Sequence, residues 1–394
     1  MKVTHLSLAN FRNYRVLDID IPPAVSVFLG DNAQGKSNFL EAFQVLAAGK
    51  SPRANNEGEL IAWSALSEPM PVSRLAAEIR KAGGVLCLEL ALRARTPAVA
   101  MEDRHEEPAR APLVQKRIRI NGAVHRAFDL AGQLNVVSFS VDDINTVGGE
   151  PSLRRRFLDL VNCQVDRHYY RQLLRYQRVL WQRNRLLQLI GAKQASYDEL
   201  TYWDRELVLA GSYLLAGRAR LLASLDKPAA EILTELSRDE SKMRLIYTST
   251  IGDVTSGNLE DIKREFAAKL GAVRDREVSQ GVSLAGPHRD DLRLMCGDID
   301  QGIYGSRGQQ RTIALALKLA QARLLSSQTG EHPVLLLDDV LSELDQHRRT
   351  CLLEAVINYE QVLITATDRA DFAPAFLERA ALFGIEQGRI SPLS

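Results

Sequence analysis

The chain has 394 residues, 45% of them hydrophobic, which is ample for the cores of two or three domains. Its 50 Lys and Arg against 49 Asp and Glu leave a net charge of +1, so global charge announces no polyanionic partner and only a local patch would. The four cysteines (Cys87, Cys163, Cys296 and Cys351) form no Cys-x-x-Cys pair, and neither a leader-type apolar stretch nor a run of roughly 20 apolar residues occurs, which argues against a disulfide scaffold, a zinc site, a signal peptide and a membrane span and gives the expectation of a soluble, cytoplasmic protein.

In chain order, Val3, Leu6 and Leu8 open a first strand before Asn10-Phe11-Arg12-Asn13-Tyr14. Leu17, Ile19 and Ile21 then alternate with Asp18 and Asp20 as in a half-buried strand, stopped by Pro22-Pro23. The apolar run 25–29 predicts a short strand into Gly30, and Phe39, Leu40, Phe43, Leu46 and Ala47 recur at helical spacing. Strands are predicted over 73–80, 85–93 and 116–120. A Pro-, Arg- and Glu-rich surface loop is expected over 96–112, and Asn121-Gly122 reads as a hairpin turn. From 152 to 225 the spacing predicts a helical arm of several helices, interrupted at Gly191, Gly211 and Pro228. Its heptads are too short-lived for a long coiled coil. Strands over 241–255 and a helix over 259–270 follow.

Three motifs carry chemistry. Gly30-Asp31-Asn32-Ala33-Gln34-Gly35-Lys36-Ser37-Asn38 satisfies G-x-x-x-x-G-K-[ST] between a strand and a helix. Its glycines let backbone N–H groups face phosphates, Lys36 neutralises the β and γ oxygens, and the Ser37 hydroxyl suits Mg²⁺. Val334-Leu335-Leu336-Leu337-Asp338 is an apolar strand that delivers Asp338 to a sheet edge as a second Mg²⁺ group. Asp339 is placed to polarise an attacking water. Ser306-Arg307-Gly308-Gln309 opens an amphipathic helix and reads as the signature of an ATP-binding-cassette (ABC) engine, an anion site for the γ-phosphate held by a second subunit. Ser342-Glu343-Leu344-Asp345, just beyond the acidic pair, stands where a dimer-spanning loop is expected. The catalytic set is therefore Lys36, Asp339, Ser306 and Gln309. Lys36 and Asp338 must meet in space from opposite ends of the chain, so the helical block is an insertion. The expected domains are 1–148 (head, N-terminal part), 149–280 (helical arm) and 281–394 (head, C-terminal part).

These motifs, with Asn10-Phe11-Arg12-Asn13-Tyr14, Gly149-Glu150-Pro151-Ser152-Leu153-Arg154-Arg155-Arg156-Phe157-Leu158-Asp159, Gln182-Arg183-Asn184 and Ala285-Gly286-Pro287-His288-Arg289-Asp290-Asp291, make the chain resemble the RecF family of DNA-repair ATPases over nearly its whole length. The resemblance implies an α/β, ABC-type ATPase head with an inserted helical arm, far shorter than the coiled coils of SMC and RecN proteins. It implies ATP and Mg²⁺ as ligands, an ATP-dependent homodimer, DNA-stimulated hydrolysis and duplex DNA near single-strand junctions. RecR and RecO are its implied partners and RecA loading the outcome, with no membrane partner. It also places Arg12 near the nucleotide. An ABC subunit of a transport or other SMC-like complex shares the motifs. It usually has a histidine after the strand at 362–364, where Thr365-Ala366-Thr367-Asp368 has none.

Independently of the family, Arg154, Arg155, Arg156, Arg167, Arg171, Arg175, Arg178, Arg183 and Arg185 stand locally against only Asp159 and Asp166. Arg171, Arg175 and Arg178 fall on one helix face and suit phosphate contacts; a solvated face or salt bridges elsewhere would explain the same pattern. Arg154–Arg156 are expected to brace the arm against the head. Gln34 reads as an ordinary loop residue, and His288 as structural rather than catalytic.

Overall fold

The computed structural model describes residues 1–95, 113–237 and 242–393. The surface loop expected at 96–112 lies outside the described residues. The chain divides into two compact units, Met1–Val141 with Leu325–Ser394, and Asp142–Leu324.

The first unit holds strands β1 (Lys2–Phe11), β2 (Tyr14–Asp20), β3 (Ala24–Leu29), β4 (Val72–Lys81), β5 (Gly84–Arg95), β6 (Leu113–Ile120), β7 (Ala123–His125) and β8 (Val136–Ser140), with helix α1 (Lys36–Ala48) after β3. Its C-terminal segment adds β12 (Val334–Asp338), β13 (Gln361–Ala366), β14 (Ala380–Glu386) and β15 (Arg389–Pro392). One sheet runs β2-β1-β4-β5-β6-β7 with antiparallel pairing throughout. The other runs β15-β14-β3-β13-β12-β8 and is parallel except at its β15 edge. Parallel strands are covered on both faces, which is why β12 reads as unbroken Val-Leu-Leu-Leu. Phe39, Leu40, Phe43 and Leu46 of α1 join both sheets in one core, with the Phe28 ring 4.6 Å from Phe39 and 5.0 Å from Phe383. Asn121 (φ 50°) and Gly122 (φ 81°) make the β6–β7 turn that their sequence demands.

The second unit contains α2 (Pro151–Val165), α3 (Arg167–Gly191), α4 (Leu200–Ser237), α5 (Leu259–Gln280) and most of α6 (Arg307–Thr329). An antiparallel sheet, β11-β10-β9, packs with them: β9 (Met243–Thr248), β10 (Asp291–Cys296) and β11 (Ile299–Asp300). Asp166 caps α3, accepting from the amides of His168 and Tyr169, and Asn258 caps α5.

Two expected breaks are absent, for α4 runs through both Gly211 and Pro228. A Cβ on Gly211 would sit 2.6 Å from Phe266 Cε1 and 2.8 Å from Tyr176 Cε2. The glycine is there so that rings of α3 and α5 can press on α4. Beyond Pro228 the buried stripe of Ala229, Ile232 and Leu233 holds the helix in register, so packing outweighs the lost backbone bond. Among the described residues of the strand region expected at 241–255, only 243–248 is strand, and the helix expected to end at 270 continues to the αL cap at Gly281.

The basic arm is also different from its one-dimensional appearance. Arg183 is fully buried, bound to Asp204 (2.7 Å), Ser283 (2.7 Å) and Glu277 (2.6 Å). Arg154 forks onto Asp291 (2.7 and 2.9 Å), and Arg155 donates to the Asp290 carbonyl (2.8 Å). Those partners lie far outside the window that showed only Asp159 and Asp166. Because β10 pairs with β9 and Asp291 holds Arg154, residues 281–324 pack with the helices; the unit boundaries fall at 141/142 and 324/325 where 148/149 and 280/281 were expected.

Candidate nucleotide site

The loop between β3 and α1 has little freedom. A Cβ on Gly30 would lie 2.4 Å from the Ile385 carbonyl oxygen, and Gly35 sits at φ 114°. Residues beside the motif fix the rest. Asn13 Nδ2 donates to the Gln34 carbonyl (3.1 Å), Tyr14 Oη to the Gly35 carbonyl (3.0 Å), and Asn38 Nδ2 to Asn13 Oδ1 (2.9 Å). Gln34 is no mere loop residue: its side chain accepts from the Gln387 amide (2.7 Å) and its carbonyl from the Gly388 amide (3.0 Å). Asp31 leads into the turn that Asn32 and Ala33 form, with Ala33 at φ 65°.

Lys36 is 4% exposed, and its Nζ donates to the carbonyls of Gly30 (2.6 Å) and Asp31 (3.3 Å), with Asp339 Oδ2 at 3.6 Å. Ser37 Oγ donates to Asp338 Oδ1 (2.9 Å), and Thr365 Oγ1 donates to the same oxygen (2.9 Å). The two ends of the chain therefore meet at one point. Burial pushes the Asp338 carboxyl above the usual carboxylate range; hydrogen bonds from Ser37 and Thr365 and the charge of Arg53 oppose this. Asp339 leaves the strand at φ 52°, its amide held by the carbonyl (3.3 Å) and the hydroxyl (3.1 Å) of Thr365. Ser342 Oγ donates to the Asp339 carbonyl (2.8 Å), Glu343 ends a short turn, Leu344 is buried, and Asp345 caps α7 (Gln346–Val356) through the Arg348 amide (2.9 Å).

Arg12 is committed to protein groups: Nε and Nη2 bind Glu41 (2.8 and 2.7 Å) and Nη1 the Glu59 carbonyl (3.0 Å). Asn13, Tyr14, Arg53, Thr365 and Gln387 are the site residues that the sequence reading missed. Asn13 and Tyr14 belong to the Asn10–Tyr14 stretch that carries part of the family likeness, whereas nothing local marks Gln387.

Ser306, Arg307, Gly308 and Gln309 stand in the other unit, at the start of α6. Ser306 Oγ accepts from the Gln309 amide (3.3 Å) and Gln309 Oε1 from the Ser306 amide (2.8 Å), a reciprocal cap. Arg171, Arg175 and Arg178 are all exposed on α3, and Arg175 Nε pairs with Glu206 (3.0 Å). His288 is buried between Tyr176 Oη (2.6 Å) and the Ser283 carbonyl (3.1 Å), and burial pushes its pKa down to about 4.

A glycine-rich loop opening a helix, and a half-buried strand-end aspartate bonded to that loop's serine, define a P-loop nucleotide-binding head. A family model described as RecF/RecN/SMC N terminal domain matches residues 2–389. The DNA replication and repair protein RecF of Chloroflexus aurantiacus is 42% identical over 398 residues, 99% of each chain. That of Roseiflexus castenholzii is 41% identical over 401 residues, the whole of both. A solved structure of the recombination mediator protein RecF with ATP superposes with a TM-score of 0.85 at 29% identity, covering 100% of this chain and 97% of that one. The chain belongs to the RecF family of DNA replication and repair proteins, and it is an ATP-binding ATPase of that kind. No described helix is long and apolar enough to cross a membrane.

Proposed function

We propose that this protein is an ATP-gated DNA clamp of recombinational repair. Two copies sandwich two ATP molecules, the arms hold duplex DNA near a single-strand gap, and hydrolysis releases both. In each site the loop amides and Lys36 bind the β and γ oxygens of one copy's ATP. The Ser306 hydroxyl and the first-turn amides of α6 from the other copy bind the same γ-phosphate. Gln309 positions Ser306 through the reciprocal cap, and Asp339 orients and deprotonates the attacking water. Ser37 and Asp338 offer two hard oxygens 2.9 Å apart, a donor set that fits Mg²⁺ and would hold it. When bound, that ion supplies charge neutralisation at the β and γ phosphates. Arg171, Arg175 and Arg178 contact the DNA backbone without reading sequence. Arg12 acts through Glu41, holding α1 and hence the loop, rather than by touching ATP.

One observation carries the composite site. The amides of Arg307 and Gly308 have no helical acceptor, as in any first turn, and a Cβ built on Gly308 would meet nothing within 4 Å among the described residues. Glycine is a poorer helix former than alanine, and its neighbours within the described residues give no steric reason for it. Close approach from outside, by a phosphate and the surface carrying it, gives one. Family membership supports the further reading that RecR and RecO are partners and that RecA loading is assisted. A transport-complex subunit has no specific observation in its favour.

Ser306→Arg fills this surface with bulk and charge while leaving the Lys36 loop intact. It is expected to keep ATP affinity within about two-fold and to abolish ATP-induced dimers in light scattering. Normal dimers would remove the composite site from the account.

A further inference from the structure

Immediately before the signature, a single helical turn over residues 301–304 is pinned on every side yet turns two large apolar residues outward. Gln301 is buried, and the Gly302 amide is held by Asp300 Oδ1 (2.9 Å). A Cβ on Gly302 would lie 2.9 Å from the Val147 carbonyl oxygen. Gln310 Nε2 donates to the Gln301 carbonyl (3.0 Å), and the Gly305 amide donates to that same carbonyl (3.2 Å). On this fixed platform Ile303 is 70% exposed and Tyr304 77% exposed. Neither contributes to a core, and the turn is held by polar contacts that do not involve their side chains.

We infer that Ile303 and Tyr304 form an apolar anchor for a second copy of this chain in its ATP-bound state. The inference rests on the clamp reading and adds to it the source of dimer affinity. Tyr304 is two residues from Ser306, at most about 7 Å along the chain, so a protein surface that brings a phosphate to Ser306 also covers this pair. The two elements then divide the work. Contact with the γ-phosphate makes dimerisation conditional on ATP, whereas burial of a rigidly presented aromatic and a β-branched side chain supplies affinity that does not depend on charge. Pre-organisation matters here, because the backbone around the pair is already fixed and little ordering is lost on docking.

Sedimentation of the full chain with a non-hydrolysable ATP analogue tests this, alongside Ile303→Ser, Tyr304→Ala, Tyr304→Phe and Ser306→Arg. Ile303→Ser and Tyr304→Ala are each expected to raise the dimer dissociation constant at least five-fold, Tyr304→Phe to match wild type, and these three to bind a fluorescent ATP analogue as wild type does at concentrations where all are monomeric. Both side chains are exposed, so folding is not at stake, and circular dichroism checks it. A smaller rise in both variants overturns the anchor, and if Ser306→Arg abolishes dimers in the same experiment the clamp reading stands without it. A wild type that stays monomeric with the analogue overturns both.

Discussion

Asp339→Asn is expected to lower ATP turnover by about 10²- to 10⁴-fold while ATP binding persists and dimers linger on DNA. The expectation comes from the backbone as much as from the carboxylate. Asp339 leaves β12 in the left-handed region at φ 52°, a conformation asparagine adopts nearly as readily. Its amide bonds to Thr365 do not involve the side chain. The substitution therefore keeps the loop and removes both the basicity and the negative charge, which stands 3.6 Å from the Lys36 ammonium. Losing a negative charge next to the γ-phosphate favours bound ATP, so the blocked step is hydrolysis. Phosphate release and nucleotide binding measured on the same sample separate the two, and turnover within about three-fold of wild type would show that Asp339 does not serve the water.

The second large effect is structural. Arg183→Met is expected to destabilise the helical unit by about 3–5 kcal/mol, because it leaves Glu277 fully buried without its partner and strips Asp204 of one. Arg178→Ala, at an exposed position on the same helix, is expected to leave stability within about 0.5 kcal/mol and to weaken duplex DNA binding. Urea unfolding with a DNA titration distinguishes them. Equal stability of Arg183→Met and wild type would contradict the buried pair, and unchanged DNA affinity in Arg178→Ala would remove α3 from the DNA surface.

This pair of arginines shows where the sequence was legible and where it was not. The phosphate loop, the strand ending at Asp338 and the hairpin at Asn121-Gly122 are local: residue type and spacing specify each within about ten positions, and all three stand as expected. Arg183 and Arg178 look alike locally because what separates them, Glu277, lies 94 positions on. Gln387 braces the loop from 353 positions away. Gly211 and Pro228 read as helix breaks because propensity is all that a single sequence offers. The rings of Tyr176 and Phe266 and the stripe from Ala229 to Leu233 outweigh it. The signature lies in the helical unit for the same reason, through the pairing of β10 with β9.

The central claim is that two copies build each hydrolytic site on DNA. ATPase rate per protomer, measured across protein concentration with and without duplex DNA, tests it directly. The account predicts a rate that rises steeply with concentration and shifts to lower concentration when DNA is present. A rate per protomer that is flat in concentration and indifferent to DNA would contradict it.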